Sequence, residues 1–471
     1  MSERSAVPPP VAALFPDAAA RVRIEDWLTR QLAAALPRVA AGSVVPTLDM
    51  PAFRRELAQL DFQAPRDVET LLTWTITQLE LGTVHMTHPR YFGLFNPAPT
   101  APAQWADRIV GAFNPQLASS GSSPVPVEIE RHVIRSLARR AGLPEETVGH
   151  FTTSGSEANY TALVCALTHA NPAFGEEGVP AFAAPVALYT SSECHPAWAK
   201  IAHQAGIGRR ALRQVATDGA GRLDPRALES ALSMDRARGI VPVLIAATAG
   251  TTGGGMVDPL AECAEIARAH GVWYHVDAAW GGAALSSPRL RGLLSGIELA
   301  DSITIDAHKW FATTMGCGMF LTTKASVLSE AFRVAADFMP SHALSTDPYL
   351  NTVQWSRRLL GLRLFLSLGV AGWQGIADHV ERAVEVIAQV KERLVAKGWS
   401  AANDSALAVL CVEPPAGDLS VRDLVRRVVD SGRAWVACST FEGREVVRIC
   451  ATHGESSLAD VDELVNVLTG H

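Results

Sequence analysis

The sequence predicts an α/β fold built around a mostly parallel sheet. Between about residues 148 and 325, short buried strands alternate with amphipathic helices, a pattern that right-handed crossovers convert into neighbouring parallel strands. Several of these strands also stop abruptly at polar residues. Because open α/β sheets bind ligands at the carboxyl edge of their strands, we expect a functional site at that edge.

The composition is that of a globular chain with a sizeable core. Of the 471 residues, 48% are hydrophobic and 19% charged, which suits one large domain with a smaller satellite. The 41 basic residues are outnumbered by 48 acidic ones and form no cluster, which argues against nucleic acid or an anionic membrane surface as a partner. Seven dispersed cysteines without Cys-x-x-Cys spacing, and no recognisable signal peptide or membrane span, predict a cytoplasmic protein.

Two segments ahead of the sheet carry apolar residues at helical spacing, residues 17–39 and residues 67–81. Taken alone, this is the pattern of an ordinary amphipathic pair packed on the body of the protein. Three consecutive prolines exclude a helix within residues 1–10. Residues 88–97 interrupt the helical pattern with prolines and aromatic residues, and we expect a structured loop there.

Short apolar runs predict the strands of the sheet. These runs are residues 148–151, residues 186–191, residues 240–248, and the two runs that end at Asp277 and Asp306.

A smaller domain is predicted beyond the sheet. It should follow a long helical stretch and combine two strands with two helices. The predicted elements are the helical stretch 355–394, strand 407–412, helix 421–429, strand 445–450 and helix 458–468.

Two loops of the predicted sheet are rich in glycine or hydroxyl residues. Gly155 and Ser156 open the helical residues 160–167, and a Gly/Ser turn at a helix N-terminus offers free N–H groups to an anion. Residues 249–255 lack the ending of a P-loop and the spacing of a dinucleotide fold, so they predict a close backbone approach to a ligand, with Thr248 beside it. Asp-Pro pairs at Asp224 and Asp258 predict helix starts with aspartate as the N-cap.

The centre of the chain is the stretch from Asp277 to Lys309. Each could have an ordinary role, Asp277 as a strand-end cap and Lys309 as a solvated lysine. A buried carboxylate and a buried lysine that are not simply paired, however, need a group between them, and pyridoxal 5'-phosphate (PLP) is such a group. Its aldehyde takes a lysine as a Schiff base, and its ring nitrogen keeps a proton beside an anion.

These motifs carry a family resemblance. Asp277-Ala278-Ala279-Trp280 and His308-Lys309-Trp310 resemble the motifs of group II PLP-dependent amino-acid decarboxylases, the family of aromatic-L-amino-acid and glutamate decarboxylases. The similarity runs from about His88 to Arg448. It implies a type I, aspartate-aminotransferase-like fold and a homodimer with active sites at the interface. The domains it implies are an N-terminal helical dimerisation arm (1–87), a large PLP-binding domain (88–354), and a long helix with a small α+β domain (355–471).

The resemblance also implies a set of cofactor-binding residues. His195 would stack on the ring face, and Gly155 with Ser156 would bind the phosphate. Asp306 stands where many members carry asparagine, and its carboxylate would repel the phosphate unless it is turned away or offset. The expected set is Gly155, Ser156, His195, Thr248, Asp277, Ala279, Asp306, His308 and Lys309.

Substrate contacts are expected from residues 88–97 and from one arginine. Arg448 matches a family arginine that meets the substrate carboxylate, although a structural ion pair with Glu445 or Asp462 is the alternative. The aromatic residues of the loop could equally fill a core. Phe92, Phe95 and Trp280 favour an aromatic or apolar amino acid. Asn96, Arg90 and Arg448 leave room for an acidic one. The candidates are Tyr91, Phe92, Phe95, Asn96, Pro97 and Arg448.

The expected reaction is decarboxylation of an L-amino acid to the amine and CO2. In the resembling enzymes a loop tyrosine protonates Cα, but the matching position here is Phe338, which has no proton to give. Decarboxylation coupled to oxidative deamination, giving an aldehyde, is therefore an alternative, and a PLP-binding protein without turnover is a second one. The catalytic candidates are Lys309, His195, Asp277, Phe338, Tyr349 and His342. Of these, Tyr349, His342 or His195 could replace the missing hydroxyl.

Overall fold

The computed structural model describes residues 13–334, 347–417 and 419–470. Phe338 and His342 lie outside the described residues, so their predicted roles stay predictions. None of the helices in these ranges has the length and apolarity needed to cross a bilayer.

Residues 18–82 contain three helices, α1 (Ala18–Ala41), α2 (Met50–Ala58) and α3 (Val68–Gly82). Each begins after an aspartate whose side chain accepts a backbone N–H of the first turn, an N-cap that stabilises a helix start. Ala35 is the one residue of the three helices that is buried. The helices predicted over 17–39 and 67–81 are confirmed, whereas α2 was not predicted.

The large sheet has seven strands in the order β1-β7-β6-β5-β4-β2-β3. Five neighbouring strands run parallel, and β7 runs antiparallel to both β1 and β6. The predicted mostly parallel sheet is therefore confirmed. The strands are β1 (Val148–Thr152), β2 (Val186–Ser191), β3 (Leu212–Val215), β4 (Val241–Thr248), β5 (Trp273–Asp277), β6 (Ser302–Asp306) and β7 (Gly318–Thr322).

The register of the parallel strands aligns their polar ends. Thr248 at the end of β4 lies beside Asp277 at the end of β5, and Asp277 lies beside Thr304 of β6. Asp306 follows Thr304 by one side-chain period, so it points to the same face of the sheet. Three polar side chains are thereby gathered at one edge.

Helices cover both faces of this sheet. Because side chains alternate along a strand, Leu188 of β2 packs in the core cluster on one face and its neighbour Tyr189 in the cluster on the other. The helices of this region are α4 (Ala101–Phe113), α5 (Pro124–Arg140), α6 (Gly155–Ala170), α7 (Phe174–Glu177), α8 (Ala197–Gln204), α9 (Pro225–Ala237), α10 (Leu260–His270) and α11 (Ala325–Phe332).

The C-terminal part is a four-stranded antiparallel sheet with three helices, in agreement with the predicted α+β domain. The long helix α12 begins seven residues later than predicted and has a non-helical residue at Gly372, where φ is 63°. The shorter strands β8 and β10 were not predicted. The elements are α12 (Leu362–Ala396), β8 (Ser400–Ala401), β9 (Val409–Glu413), α13 (Val421–Asp430), β10 (Ala437–Phe441), β11 (Arg444–Cys450) and α14 (Leu458–Thr469).

One of the two predicted aspartate caps is wrong. Asp224 caps α9 by accepting the N–H of Arg226 at 2.8 Å, as expected. Asp258 does not cap α10. Its buried carboxylate accepts the N–H of Leu223 at 2.8 Å and the N–H of Thr248 at 2.7 Å, so it ties the end of β4 to the segment before α9. A capping motif in the sequence could not reveal these two distant donors.

Candidate active site

A cavity of about 170 Å³ opens at the carboxyl edge of the large sheet, beside the N-terminus of α6. All nine residues predicted to bind the cofactor line it, together with one of the substrate candidates, Phe95. The remaining lining residues are Ser154, Asn159, Gly250, Thr252 and Trp280.

Asp277 is a buried carboxylate at the end of β5. Its Oδ2 accepts the side-chain N–H of Asn159 at 2.7 Å, and its Oδ1 accepts the backbone N–H of Ala279 at 3.2 Å. Within the described ranges no basic side chain forms a salt bridge with it. A buried carboxylate is costly without a cation or several donors, so this site is suited to a ligand that presents a protonated nitrogen.

Lys309 approaches the cavity from the turn after β6. Its Nζ lies 3.1 Å from Oδ2 of Asp306, whose side chain is almost completely buried. The other oxygen, Oδ1, has no hydrogen-bond donor. The carboxylate of Asp306, at the position where many family members carry asparagine, is thus directed at the lysine.

Two glycines make room for Asp306. A Cβ added at Gly155 would lie 2.7 Å from Asp306 Oδ2, and one added at Gly318 would lie 2.8 Å from Oδ1. Both distances are shorter than van der Waals contact. The carboxylate therefore lies in a niche between the first residue of α6 and the first residue of β7.

Two histidines border the cavity. His195 accepts the N–H of Ala197 on Nδ1 at 3.1 Å, and burial lowers its pKa, although the charge of Asp277 opposes this shift. The neutral ring then carries its proton on Nε2. His308 accepts the N–H of Cys317 on Nδ1 at 3.2 Å, and its Nε2 lies 3.8 Å from Asp306.

Aromatic rings form one wall. Phe95 stacks on Trp280 with ring centroids 4.1 Å apart, and Trp280 stacks on Trp310 at 4.7 Å. Lys309 Nζ is 5.7 Å from the Phe95 centroid, and the guanidinium of Arg448 is 4.5 Å from it. Phe95 thus contacts the arginine and also faces the cavity.

The other predicted substrate residues are not among those that line the cavity. Arg448 donates to the carbonyls of Thr252 at 2.9 Å and Gly93 at 2.8 Å. The structural ion pair considered as its alternative is absent from the described residues, because Glu445 pairs with Arg422 and Asp462 with Arg393. The remaining candidates that lie away from the lining are Tyr91, Phe92, Asn96 and Pro97.

Tyr349, a predicted catalytic residue, also lies away from the lining. Its backbone N–H donates to the carbonyl of Ala118 at 3.0 Å, and its ring packs against Trp355. Its role as a proton donor stays a prediction.

The glycine-rich loop after β4 has two roles. Gly250 and Thr252 line the cavity, as a close backbone approach to a ligand requires. Gly254 and Gly255 instead pack on the small domain, where a Cβ at Gly254 would lie 2.3 Å from the ring of Phe441. The loop therefore joins the site to the small sheet.

The residues fit PLP. The N-terminus of α6 leaves N–H groups free for a phosphate, and Lys309 offers an amine to an aldehyde. The buried Oγ1 of Thr248 has no hydrogen-bond partner in the structure. An orphaned hydroxyl on a cavity wall is what a polar ligand would satisfy.

Asn159 was not predicted as a site residue from the sequence. It lies on α6 one turn beyond Gly155 and contacts Asp277, which is 118 residues away in the chain. The signal was weak, since asparagine is a poor helix former but Ser156, Glu157 and Thr161 make the first turns of α6 polar in any case. Its partner could be identified only from the fold.

Comparison with known proteins gives consistent matches. The model of the pyridoxal-dependent decarboxylase conserved domain matches residues 51–403. The chain is 32% identical over 334 residues to the acidic amino acid decarboxylase of Mus musculus, which covers 70% of this chain and 60% of that protein. It is 27% identical over 421 residues to tryptophan decarboxylase 2 of Oryza sativa subsp. japonica, which covers 84% of each. The crystal structure of mouse CSAD matches with a TM-score of 0.87 and 27% identity, over 95% of this chain and 98% of that one. The chain thus spans less than two thirds of the mouse acidic amino acid decarboxylase.

Proposed function

The chain belongs to the pyridoxal-dependent decarboxylase family, and from this premise we propose that it converts an L-amino acid into the amine and CO2, with an aromatic or apolar side chain favoured. The cofactor of the family is PLP, as predicted. The observation that carries the proposal is that Lys309 and Asp277 line the same cavity, one wall of which is aromatic.

Different residues of the cavity would bind different parts of the cofactor. Lys309 would hold it covalently, Asp277 would keep its ring nitrogen protonated, and Gly155 with Ser156 would bind its phosphate. When bound, PLP supplies the electron sink that stabilises the carbanion left by CO2. The neutral ring of His195, with its proton on Nε2, would cover the reacting atoms and exclude water.

Asp306 would act on Lys309. Its carboxylate is 3.1 Å from the amine and is confined between Gly155 and Gly318. We propose that it holds the amine in place whenever the amine is not bonded to the cofactor. This role explains why a carboxylate can lie close to the proposed phosphate-binding residues, because Lys309 offsets the negative charge of Asp306.

The preference for an aromatic or apolar substrate rests on which side chain faces the cavity. Phe95 and Trp280 line it, whereas the buried guanidinium of Arg448 lies behind Phe95 and donates to two backbone carbonyls. An acidic substrate would need Phe95 to move before it met the arginine. The relatives do not decide this point, because one is named for acidic amino acids and another for tryptophan.

The test is a substrate screen of the PLP-loaded chain. L-Tryptophan, L-tyrosine and L-phenylalanine should release CO2 faster than L-aspartate, L-glutamate and cysteine sulfinate, with each amine identified by mass. A faster reaction with the acidic set would overturn the proposed preference. Borohydride should trap PLP on the wild-type chain and not on K309A, which tests the covalent attachment separately.

Phe338 favours a second candidate reaction, decarboxylation with oxidative deamination to an aldehyde. A phenylalanine has no hydroxyl with which to protonate Cα, so the carbanion would stay open to oxygen for longer. In air, ammonia and peroxide released in step with CO2 would establish the aldehyde reaction. A third candidate, a PLP-binding protein without turnover, would be favoured if no amino acid changed the absorbance of the bound cofactor.

We propose that the chain forms a homodimer. Trp105, Ile109 and Phe113 lie at four-residue spacing on α4 and are all exposed, Phe113 by 82%. Together with Val125, which is 67% exposed, two of them line an apolar groove of about 610 Å³. Patches of this kind mark interfaces, and a second copy of the chain is the occupant we propose.

We also propose a cytoplasmic setting. All seven cysteines are free thiols, and six of them are buried. A reducing compartment keeps such thiols unpaired.

A further inference from the structure

We propose that Asn159 and His275 are positioning residues, which orient the carboxylate of Asp277 through hydrogen bonds that all run in one direction. The inference rests on the proposed contact between Asp277 and the ring nitrogen of PLP. Behind that contact lies a line of four further residues, Asn159, His275, Ser302 and Trp273.

The line begins at Trp273 and ends at Asp277. Trp273 Nε1 donates to Ser302 Oγ at 2.8 Å, and Ser302 Oγ lies 2.8 Å from His275 Nδ1. His275 Nε2 lies 3.0 Å from Asn159 Oδ1, and Asn159 Nδ2 donates to Asp277 Oδ2 at 2.7 Å. All five residues are buried, with at most 5% of any one exposed.

The direction of each hydrogen bond follows from the chemistry of the first donor. An indole N–H can only donate, so the oxygen of Ser302 accepts and its own proton is free to go to Nδ1 of His275. Burial lowers the pKa of His275 to about 4, so the ring is neutral at pH 7 and carries one proton. With Nδ1 accepting, that proton is on Nε2 and is donated to Asn159 Oδ1. The amide NH2 of Asn159 then faces Asp277.

The opposite direction is disfavoured at both ends. A proton on Nδ1 of His275 would point at Ser302, whose oxygen would then have two donors and no acceptor for its own proton in this line. A reversed amide would place the oxygen of Asn159 against the carboxylate of Asp277. Thr304 Oγ1, 3.3 Å from His275 Nε2, can accept from the same N–H and does not change this result.

The line therefore supplies hydrogen bonds to Asp277 without supplying a positive charge. Oδ2 of Asp277 accepts the hydrogen bond from Asn159, and Asp277 also lines the cavity. A cation at the position of Asn159 would compete with a protonated ring nitrogen for the carboxylate. A neutral amide holds the carboxylate in place and leaves its charge for the cofactor.

The first test concerns the tautomer of His275 and needs no cofactor. ¹⁵N-histidine NMR of the PLP-free chain, with the His275 signals identified by their absence from H275Q, should show a neutral ring protonated on Nε2 at pH 7. A ring protonated on Nδ1, or on both nitrogens, would refute the proposal.

The second test compares two amide replacements of the same histidine. The side-chain nitrogen of glutamine reaches the position of Nε2, whereas that of asparagine reaches the position of Nδ1. H275Q should therefore keep the dissociation constant for PLP within about threefold of the wild type. H275N and N159L should weaken PLP binding on the order of tenfold or more, the scale of a hydrogen bond to a charged group.

A matched control separates positioning from stability. His150 is another buried histidine of the same sheet, and neither of its ring nitrogens has a hydrogen-bond partner. H150N should lower the melting temperature without weakening PLP binding. Equal losses of affinity in H275Q and H275N, or losses that follow the melting temperature across all variants, would overturn the proposal. Neither test uses turnover, so a failure of the proposed decarboxylation is a separate result.

Discussion

Gly155→Ala should destabilise the chain because of one contact. Gly155 begins α6, where alanine is otherwise the better helix former by up to about 1 kcal/mol. An added Cβ, however, would lie 2.7 Å from Oδ2 and 3.0 Å from Oδ1 of Asp306, against an ordinary contact of 3.4 Å or more. Asp306 cannot retreat easily, because Gly318 closes the other side of its niche and Lys309 holds Oδ2.

The expected magnitude follows from this overlap. Overpacking by one carbon atom in a rigid site costs about 1–3 kcal/mol. In the background of Asp306→Ala the clashing atoms are gone, so G155A should cost close to nothing there. The two substitutions should therefore show a coupling of about 2 kcal/mol in a double-mutant cycle.

Urea denaturation of the PLP-free chain measures the four apparent free energies of unfolding. Gly369→Ala is the control, because a Cβ at this exposed position in α12 would meet no atom within 4 Å, and it should be neutral or slightly stabilising. Equal costs of G155A with and without the Asp306 carboxylate would refute the steric account of the niche.

Three further predictions concern acid stability, assembly and specificity. Burial lowers the pKa of His150 to about 3, below its value of about 6.5 in the unfolded chain. His150 should therefore destabilise the folded chain progressively as the pH falls from about 6.5 to 3. H150F should reduce that loss of stability by a few kcal/mol, as measured by urea titrations at each pH. Phe113→Asp should convert the proposed dimer to monomers in sedimentation experiments. Met234→Asp, at an exposed residue of α9, should leave the dimer intact. If both variants remain dimeric, α4 is not the interface. Phe95→Ala should open the cavity towards Arg448 and shift the ratio of kcat/KM for acidic over aromatic amino acids upward by about tenfold, and an unchanged ratio would show that Phe95 does not screen the arginine.

Local signals in the sequence were reliable where one element was enough to interpret them. Asp224 caps α9, as its Asp-Pro pair predicted. The same logic failed at Asp258, whose two donors come from β4 and from the segment before α9. A cap depends on neighbours in the chain, whereas this carboxylate found better donors across the fold.

The sequence by itself determined the type of site and the cofactor that this protein can bind. The carboxyl edge of a parallel sheet, and the cofactor that fits it, were predicted from three local features. These are strand ends at Asp277 and Asp306, a lysine in the next turn, and a Gly/Ser turn before a helix. Such features can be predicted because strand period and capping are properties of short segments. Tertiary structure alone decided which side chains touch. It directed Asp306 at Lys309, placed Phe95 rather than Arg448 on the cavity wall, and brought Asn159 to Asp277. Such contacts join residues far apart in the chain, and packing fixes them only after the sheet has formed.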